Sequence, residues 1–152
     1  MTRYNPHNAY LESRILSADP MELIDLLYQA AISAVRDARR HLQEKDIRAR
    51  SQSITKAYNI LMELTIALDH KRGGEIATNY ARLYDYMMRR LTEANFKQID
   101  EPLAETIGLL MTLKEGWEGV RQQLKPAAPV MGNAWAQAAP QETSGMSQSW
   151  SF

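Results

Sequence analysis

The sequence predicts an all-α fold: an antiparallel four-helix bundle with an additional short N-terminal helix and a flexible C-terminal tail. Three observations carry that expectation. Apolar residues recur at steps of three and four through most of the chain, the spacing that gathers side chains on one stripe of a helix with 3.6 residues per turn. No stretch sustains the period-two alternation of a half-buried strand. From Pro126 onward the composition turns abruptly to Pro, Gly, Ala, Ser and Gln, with Glu142 as the only charge, and such a segment buries too little apolar surface to offset the entropy of ordering. The expected domains follow: a helical domain over 1–125, in which 1–18 is an N-terminal cap segment, and a disordered tail over 126–152 that carries Trp135, Trp150 and Phe152.

Each element has its own signals. His7 to Leu16, with Tyr10, Leu11, Ile15 and Leu16 as apolar residues, is a candidate helix too short to be stable alone. Asp19-Pro20 marks the next start, because Asp accepts orphan N–H groups at the N-cap and Pro is pre-set for the first helical position. That helix runs to about Glu44 with Leu23, Leu27, Ala30, Ala34, Ala38 and Leu42 on one stripe, the alanines allowing a neighbour to approach closely. Glu44-Lys45-Asp46 is a polar turn. A helix from about Ile47 to Leu68 carries Ile47, Ile54, Ala57, Tyr58, Leu61, Leu64 and Leu68, and His70, Lys71 and Arg72 suit the negative end of its dipole before Gly73.

Gly73-Gly74 predicts a backbone break, since only glycine enters the left-handed region without steric cost. The helix after it places Ile76, Tyr80, Leu83, Met87, Leu91 and Ala94 on a stripe expected to be buried, with Arg82, Asp85 and Arg89 pairing on the wet edge. Acids and Pro at Asp100-Glu101-Pro102 open a last helix bearing Leu103, Ile107, Leu110, Leu113, Trp117, Val120 and Leu124. Gly108, Gly116 and Gly119 weaken that helix by up to about 1 kcal/mol each relative to Ala.

Composition narrows the function. A chain of 152 residues supports one core, and the absence of cysteine excludes a disulfide framework and thiol chemistry. Eighteen basic and eighteen acidic side chains cancel, so no global field draws nucleic acid or anionic lipid. No apolar run approaches the roughly 20 residues of a membrane span, and Met1 to Pro6 has no signal-peptide core, so a soluble cytoplasmic protein without membrane insertion is expected. His7, His41 and His70 are dispersed, and Glu-x-x-His pairs are absent. His41 near Asp37 reads as a solvated ion pair, and Glu101 with Glu105, like Glu115 with Glu118, reads as a wet helix face. The expectation is a protein that is not an enzyme and has no catalytic, metal or cofactor residues. Arg36, Arg39, Arg40, Lys45, Arg48 and Arg50 cluster near one turn, but Asp37, Glu44 and Asp46 dilute them, so no nucleic-acid partner is expected. Leu26, Ile60, Met62, Ala81, Tyr84 and Met88 exceed what one core stripe needs, which leaves a wider core, a self-association face or a helix-binding groove.

The segment Gly73-Gly74-Glu75-Ile76-Ala77-Thr78-Asn79, with Leu83-Tyr84-Asp85-Tyr86-Met87-Met88-Arg89-Arg90-Leu91 and Glu93-Ala94-Asn95, resembles the signature of the FliS family of cytoplasmic flagellin export chaperones. Ser17-Ala18-Asp19-Pro20 followed by Glu22-Leu23-Ile24 and Leu27-Tyr28 resembles its second landmark, and Asn8-Ala9-Tyr10 its N-terminal tyrosine element. The resemblance spans residues 4 to 121, with Gln29-Ala30 standing where the family usually has Asp-Gly. It implies a chaperone of type III export that needs no ATP. Such a protein binds the C-terminal segment of flagellin as a helix in a groove, prevents premature polymerisation, and docks at the export gate when loaded. On this resemblance the groove walls are assigned to Leu27, Tyr28, Tyr58, Leu61, Met87 and Leu91, and a self-occluding N-terminal segment to Tyr4, Tyr10 and Ile15. The alternative is a homodimeric structural or regulatory bundle without flagellin as client.

Overall fold

The structure is a computed structural model that describes Pro6, Ala9, Tyr10, Glu12, Ser13 and residues 19–124. Tyr4, Ile15 and the tail with Trp135, Trp150 and Phe152 lie outside the described residues. Four helices follow one another: α1 (Pro20–Gln43), α2 (Ile47–Ile66), α3 (His70–Lys97) and α4 (Glu101–Leu124). Pro6, Ala9, Tyr10, Glu12 and Ser13 are also helical, and no strand occurs among the described residues. The chain divides into two compact units, Met1–Lys114 and Glu115–Phe152, with α4 crossing the boundary. In the second unit the described part is the end of α4, where Arg121 pairs with Glu118 at 3.4 Å.

In the first unit α1 starts where Asp19 and Pro20 predict. The Asp19 carboxylate accepts from the Glu22 amide at 2.8 Å, satisfying one of the amides that no helical carbonyl can reach. Met21, Asp25, Leu26, Leu27, Tyr28, Ala30, Ala31, Ile32, Ala34, Val35 and Ala38 are buried, so α1 is enclosed nearly all round rather than along one stripe. Lys45 at φ 60 turns the chain, and Asp46 caps α2 by accepting from the Ala49 amide at 3.1 Å. α2 buries Ile54, Ala57, Leu61 and Leu64 along one face.

The expected end of α2 needs correction. It stops at Ile66, and His70, Lys71 and Arg72 do not close it: they form the first turn of α3. The physical reason is Asp69, whose carboxylate accepts from the amides of Lys71 at 3.1 Å and Arg72 at 3.2 Å. An N-cap contributes about 0.5–2 kcal/mol, more than an exposed cation gains at a helix C-terminus. The break falls at Gly74 alone, at φ 48 and ψ −119, while Gly73 stays in the helical turn with its amide donating to Asp69 O at 2.8 Å.

After that break the buried stripe of α3 begins at Ala77, and Ile76, in the first turn beyond Gly74, is left uncovered by any neighbouring helix. Ile76, expected in the buried stripe, is 67% exposed, and Ala77 is buried in its place, with Tyr84, Met87, Leu91 and Ala94 continuing the stripe. Tyr80 and Leu83 are half-buried. α3 ends at Gln98, left-handed at φ 58, and the Asp100 carbonyl accepts from Leu103 and Ala104 to start α4. Pro102, Leu103, Thr106, Ile107 and Leu110 are buried there.

α1 packs on α2, and α2 on α3. Arg39 grips Asp100 through two hydrogen bonds of 2.7 and 2.8 Å, and Lys114 reaches Asp25 at 3.4 Å. Because residue numbers rise on α4 as they fall on α1, these two helices run in opposite directions within the first unit. Arg90 on α3 bonds Glu105 at 2.7 Å and also Glu101, joining α3 to the start of α4.

Candidate functional site

Exposed large apolar side chains occur on α2, α3 and α4, among them Ile47, Tyr58, Met62, Ile66, Ile76, Phe96 and Met111. Ser51 of α2 donates to the side-chain oxygen of Asn95 of α3 at 3.2 Å, so these two residues mark where the helices meet. Seven residues on from Ser51 stands Tyr58, and Met62 is one turn further; seven and fourteen back from Asn95 stand Met88 and Ala81. A step of seven drifts only about 20° around a helix, so both series continue along the seam between α2 and α3. Tyr58 is 36% exposed and Met62 45%, while Met88 and Ala81 are half-buried. The result is an apolar seam at the surface, lined in part by two methionines whose unbranched thioethers repack around different ligands. Ile66, at the end of α2, is also exposed.

An open depression of about 400 Å³ on α2 is lined by Gln52, Thr55, Lys56, Asn59, Ile60 and Glu63. Asp85 pairs with Arg89 at 2.9 Å, as the four-residue spacing predicts. No group of three or more His, Cys, Asp and Glu side chains with metal-binding geometry occurs among the described residues. His41 lies 3.4 Å from Glu44, the C-cap of α1, and Glu105 accepts from Arg90 and then Tyr86, which hold its carboxyl below the usual range. The Glu101 and Glu105 carboxylates are thus tied up by Arg90, an arrangement suited to joining helices.

Of the six residues assigned to groove walls, Leu27, Tyr28, Leu61, Met87 and Leu91 lie in the interior and Tyr58 reaches the surface. The five sit on the same stripes that pack the helices together, and a repeat of three and four serves both purposes. Among the assigned N-terminal residues, Tyr10 is helical and 59% exposed. Met62, Ala81 and Met88, set apart in the sequence as surplus apolar residues, lie on the helix faces that carry Ser51 and Asn95, whereas Leu26 and Tyr84 are buried. The seam's polar marker, Ser51 with Asn95, had no sequence signal beyond the seven-residue steps leading to it.

Beneath the seam the hydroxyls of Tyr28 on α1 and Tyr84 on α3 share a hydrogen bond of 2.5 Å. Burial pushes the Tyr28 phenol up to about 12, the bond to Tyr84 acting against it, and burial raises that of Tyr84 as well. Both are neutral polar groups in an apolar interior. Tyr80 meets the Tyr84 ring edge-on, with centroids 6.1 Å apart and planes at 71°.

These features define a class: a protein helical throughout its described residues, with apolar side chains exposed on the α2 and α3 faces that carry Ser51 and Asn95, and with Arg39–Asp100, Arg90–Glu101, Arg90–Glu105 and Lys114–Asp25 pairs between helices. Comparison with known proteins sharpens the class to a family. The family profile of the flagellar protein FliS matches residues 3–124, and the chain belongs to that family. It is 41% identical over 119 residues to the flagellar secretion chaperone FliS of Salmonella typhimurium, covering 78% of this chain and 85% of that protein. It is 39% identical over 110 residues to the flagellar secretion chaperone FliSB of Pseudomonas aeruginosa, covering 72% and 87%. Against the flagellar secretion chaperone FliS of Bacillus subtilis the identity is 32% over 118 residues, covering 78% and 87%. No helix among the described residues is long and apolar enough to cross a membrane.

Proposed function

We propose that this chain is a non-enzymatic, cytoplasmic chaperone of flagellar type III export that binds the C-terminal segment of flagellin, blocks its premature polymerisation and delivers it to the export gate. Its helices form an antiparallel four-helix bundle with a short N-terminal helix. The observation that carries the reading is the exposed apolar seam of Tyr58, Met62, Ala81 and Met88 on a chain of the FliS family. A client helix laid along it would bury its own apolar face, each well-buried Leu or Met contributing about 1.5–3 kcal/mol. Ordering a disordered client costs about 2–5 kcal/mol or more, which keeps the complex releasable. Leu27, Tyr28, Leu61, Met87 and Leu91 support the seam from within, and Tyr58 contacts the client.

The N-terminal segment with Tyr4, Tyr10 and Ile15 covers the client surface when it is empty. A phenol suits that exchange, since it has an apolar body and a polar tip that tolerates water. Deleting residues 1–16 should change flagellin affinity or self-association, and unchanged values for both would remove this part of the proposal.

Isothermal calorimetry with a synthetic flagellin C-terminal peptide tests the whole. Saturable binding is expected, weakened about tenfold by Met62→Glu with the melting temperature held, as a lost buried side chain of this size implies. Absence of binding would overturn the reading. The same exposed seam also fits self-association, so light scattering with and without the peptide separates the two: a dimer indifferent to peptide favours the structural homodimer.

A further inference from the structure

Tyr84 lies three residues after Ala81 and four before Met88, so it borders the inner side of the stripe that lines the seam on α3. Its ring is held at two points. The hydroxyl bonds that of Tyr28, which projects from the enclosed helix α1, and the ring face or edge meets Tyr80 one turn away. Tyr28 and Tyr84 are both almost wholly buried, at 1% and 2% exposure. A hydroxyl in such surroundings strongly prefers to keep its hydrogen-bond partner, because no water replaces it without movement of the ring or the helix.

We propose that the Tyr28–Tyr84 hydroxyl pair is a positioning device: by holding the Tyr84 ring inward it fixes the part of α3 that presents Ala81 and Met88, and so sets the seam in its client-binding form. Tyr28 thus acts on the client through Tyr84, without touching it. The two tyrosines belong to separate sequence landmarks, Leu27-Tyr28 and Leu83-Tyr84, and the bond between them spans 56 residues of chain. The pair acts as a unit. Removing one hydroxyl orphans the other, which then seeks water by rotating towards the surface and disturbs the stripe above it. Removing both leaves two aromatic rings that pack without a polar demand.

The proposal rests on the flagellin reading for its client, and its test keeps the two apart. Tyr28→Phe, Tyr84→Phe and the double variant are prepared as full chains and studied well below their melting temperatures, each checked for helicity by circular dichroism. With ¹³C-methyl-labelled methionine, the Met88 methyl resonance should shift or broaden in either single variant and return towards its original position in the double. Affinity for the flagellin C-terminal peptide should fall about fivefold or more in the single variants and recover in the double, an inversion of additivity expected of a coupled pair. Should one single variant fail to fold, the other carries the comparison, since each orphans one hydroxyl. A Met88 signal unchanged in the folded single variants overturns the positioning role, as does unchanged peptide affinity in those variants when the unaltered chain binds. If the unaltered chain binds no flagellin peptide, the flagellin reading fails instead, and the Met88 signal alone decides the positioning role.

Discussion

The guanidinium of Arg50 donates from Nε to the side-chain oxygen of Asn95 at 3.0 Å and from an Nη to the Asn95 carbonyl at 3.3 Å. Arg50 is only 4% exposed, so a full positive charge is held inside near the C-terminal turn of α3, where the helix dipole favours it. The same asparagine oxygen accepts from Ser51 at 3.2 Å. One side chain therefore fixes the register of α2 against α3.

Asn95→Ala removes that acceptor and leaves a buried charged donor short of a partner. A loss of about 2–4 kcal/mol is expected, the range for breaking such a bond to a buried charge. Asn95→Asp, which keeps acceptors for both donors, should cost less. Urea denaturation followed by circular dichroism measures both.

The glycines should respond with opposite signs. Gly74→Ala forces a side chain onto φ 48, ψ −119, and should destabilise by about 1–3 kcal/mol. Gly73→Ala should also destabilise, because the new Cβ would stand 2.9 Å from the Ala77 Cβ in a packed helix. At Gly108 a Cβ meets nothing within 4 Å, so Gly108→Ala should stabilise α4 by up to about 1 kcal/mol. Thermal melts of the three variants reveal the signs directly.

Acid stability should depend on Arg90. Its guanidinium bonds Glu93 at 2.7 Å, Glu105 at 2.7 Å and Glu101, and its own pKa is raised, chiefly by the bond to Glu105. The Glu93 carboxyl is held below its ordinary value, first by Lys97 and then by Arg90, and that of Glu105 by Arg90 and then Tyr86. A carboxyl with a depressed folded pKa binds fewer protons than in the unfolded chain. Its contribution is therefore present above the ordinary carboxylate pKa of about 4.3 and lost as pH falls through the lower folded value. Stability measured by urea titration should fall as pH drops from about 5 to 3, and Arg90→Met should flatten that limb. An equally steep limb in the variant would show that other groups govern it.

At the alkaline end the buried phenols take over. Tyr28 is pushed up to about 12 and Tyr84 is raised as well, mainly by burial, whereas unfolded tyrosines ionise near 10. The folded chain then holds protons that the unfolded chain gives up, so stability should decline as pH rises above about 10. Tyr86 is raised too, chiefly by its hydrogen bond to Glu105, so ultraviolet difference titration should show three of the seven tyrosines ionising late, and Tyr28→Phe should reduce the late fraction.

Local signals were enough for most helix boundaries. Asp19-Pro20 starts α1 where a cap and a pre-set φ require it, and the acids and Pro near residue 100 start α4. The misplacement at His70 to Arg72 had a local cause too: cations and glycine read as a helix end, while the Asp69 cap that reverses their meaning was just as visible. Ile76 was different. Its spacing from Met87 does put it on the buried face, but it stands in the first turn after Gly74, where no neighbouring helix covers it, and spacing does not record coverage.

By itself the sequence determined the all-helical class, the main caps and the family, because each rests on residues close together in the chain or on an ordered string of motifs. Tertiary structure decided which apolar residues face inward. Leu61 and Met87 share their spacing with surface residues, and only the neighbouring helices cover the former and leave Tyr58 and Met62 in contact with solvent. It also decided which polar groups meet, as Ser51 does with Asn95 and Tyr28 with Tyr84. Helical periodicity is a property of one segment, whereas burial and hydrogen bonding across dozens of residues exist only once the segments are packed together.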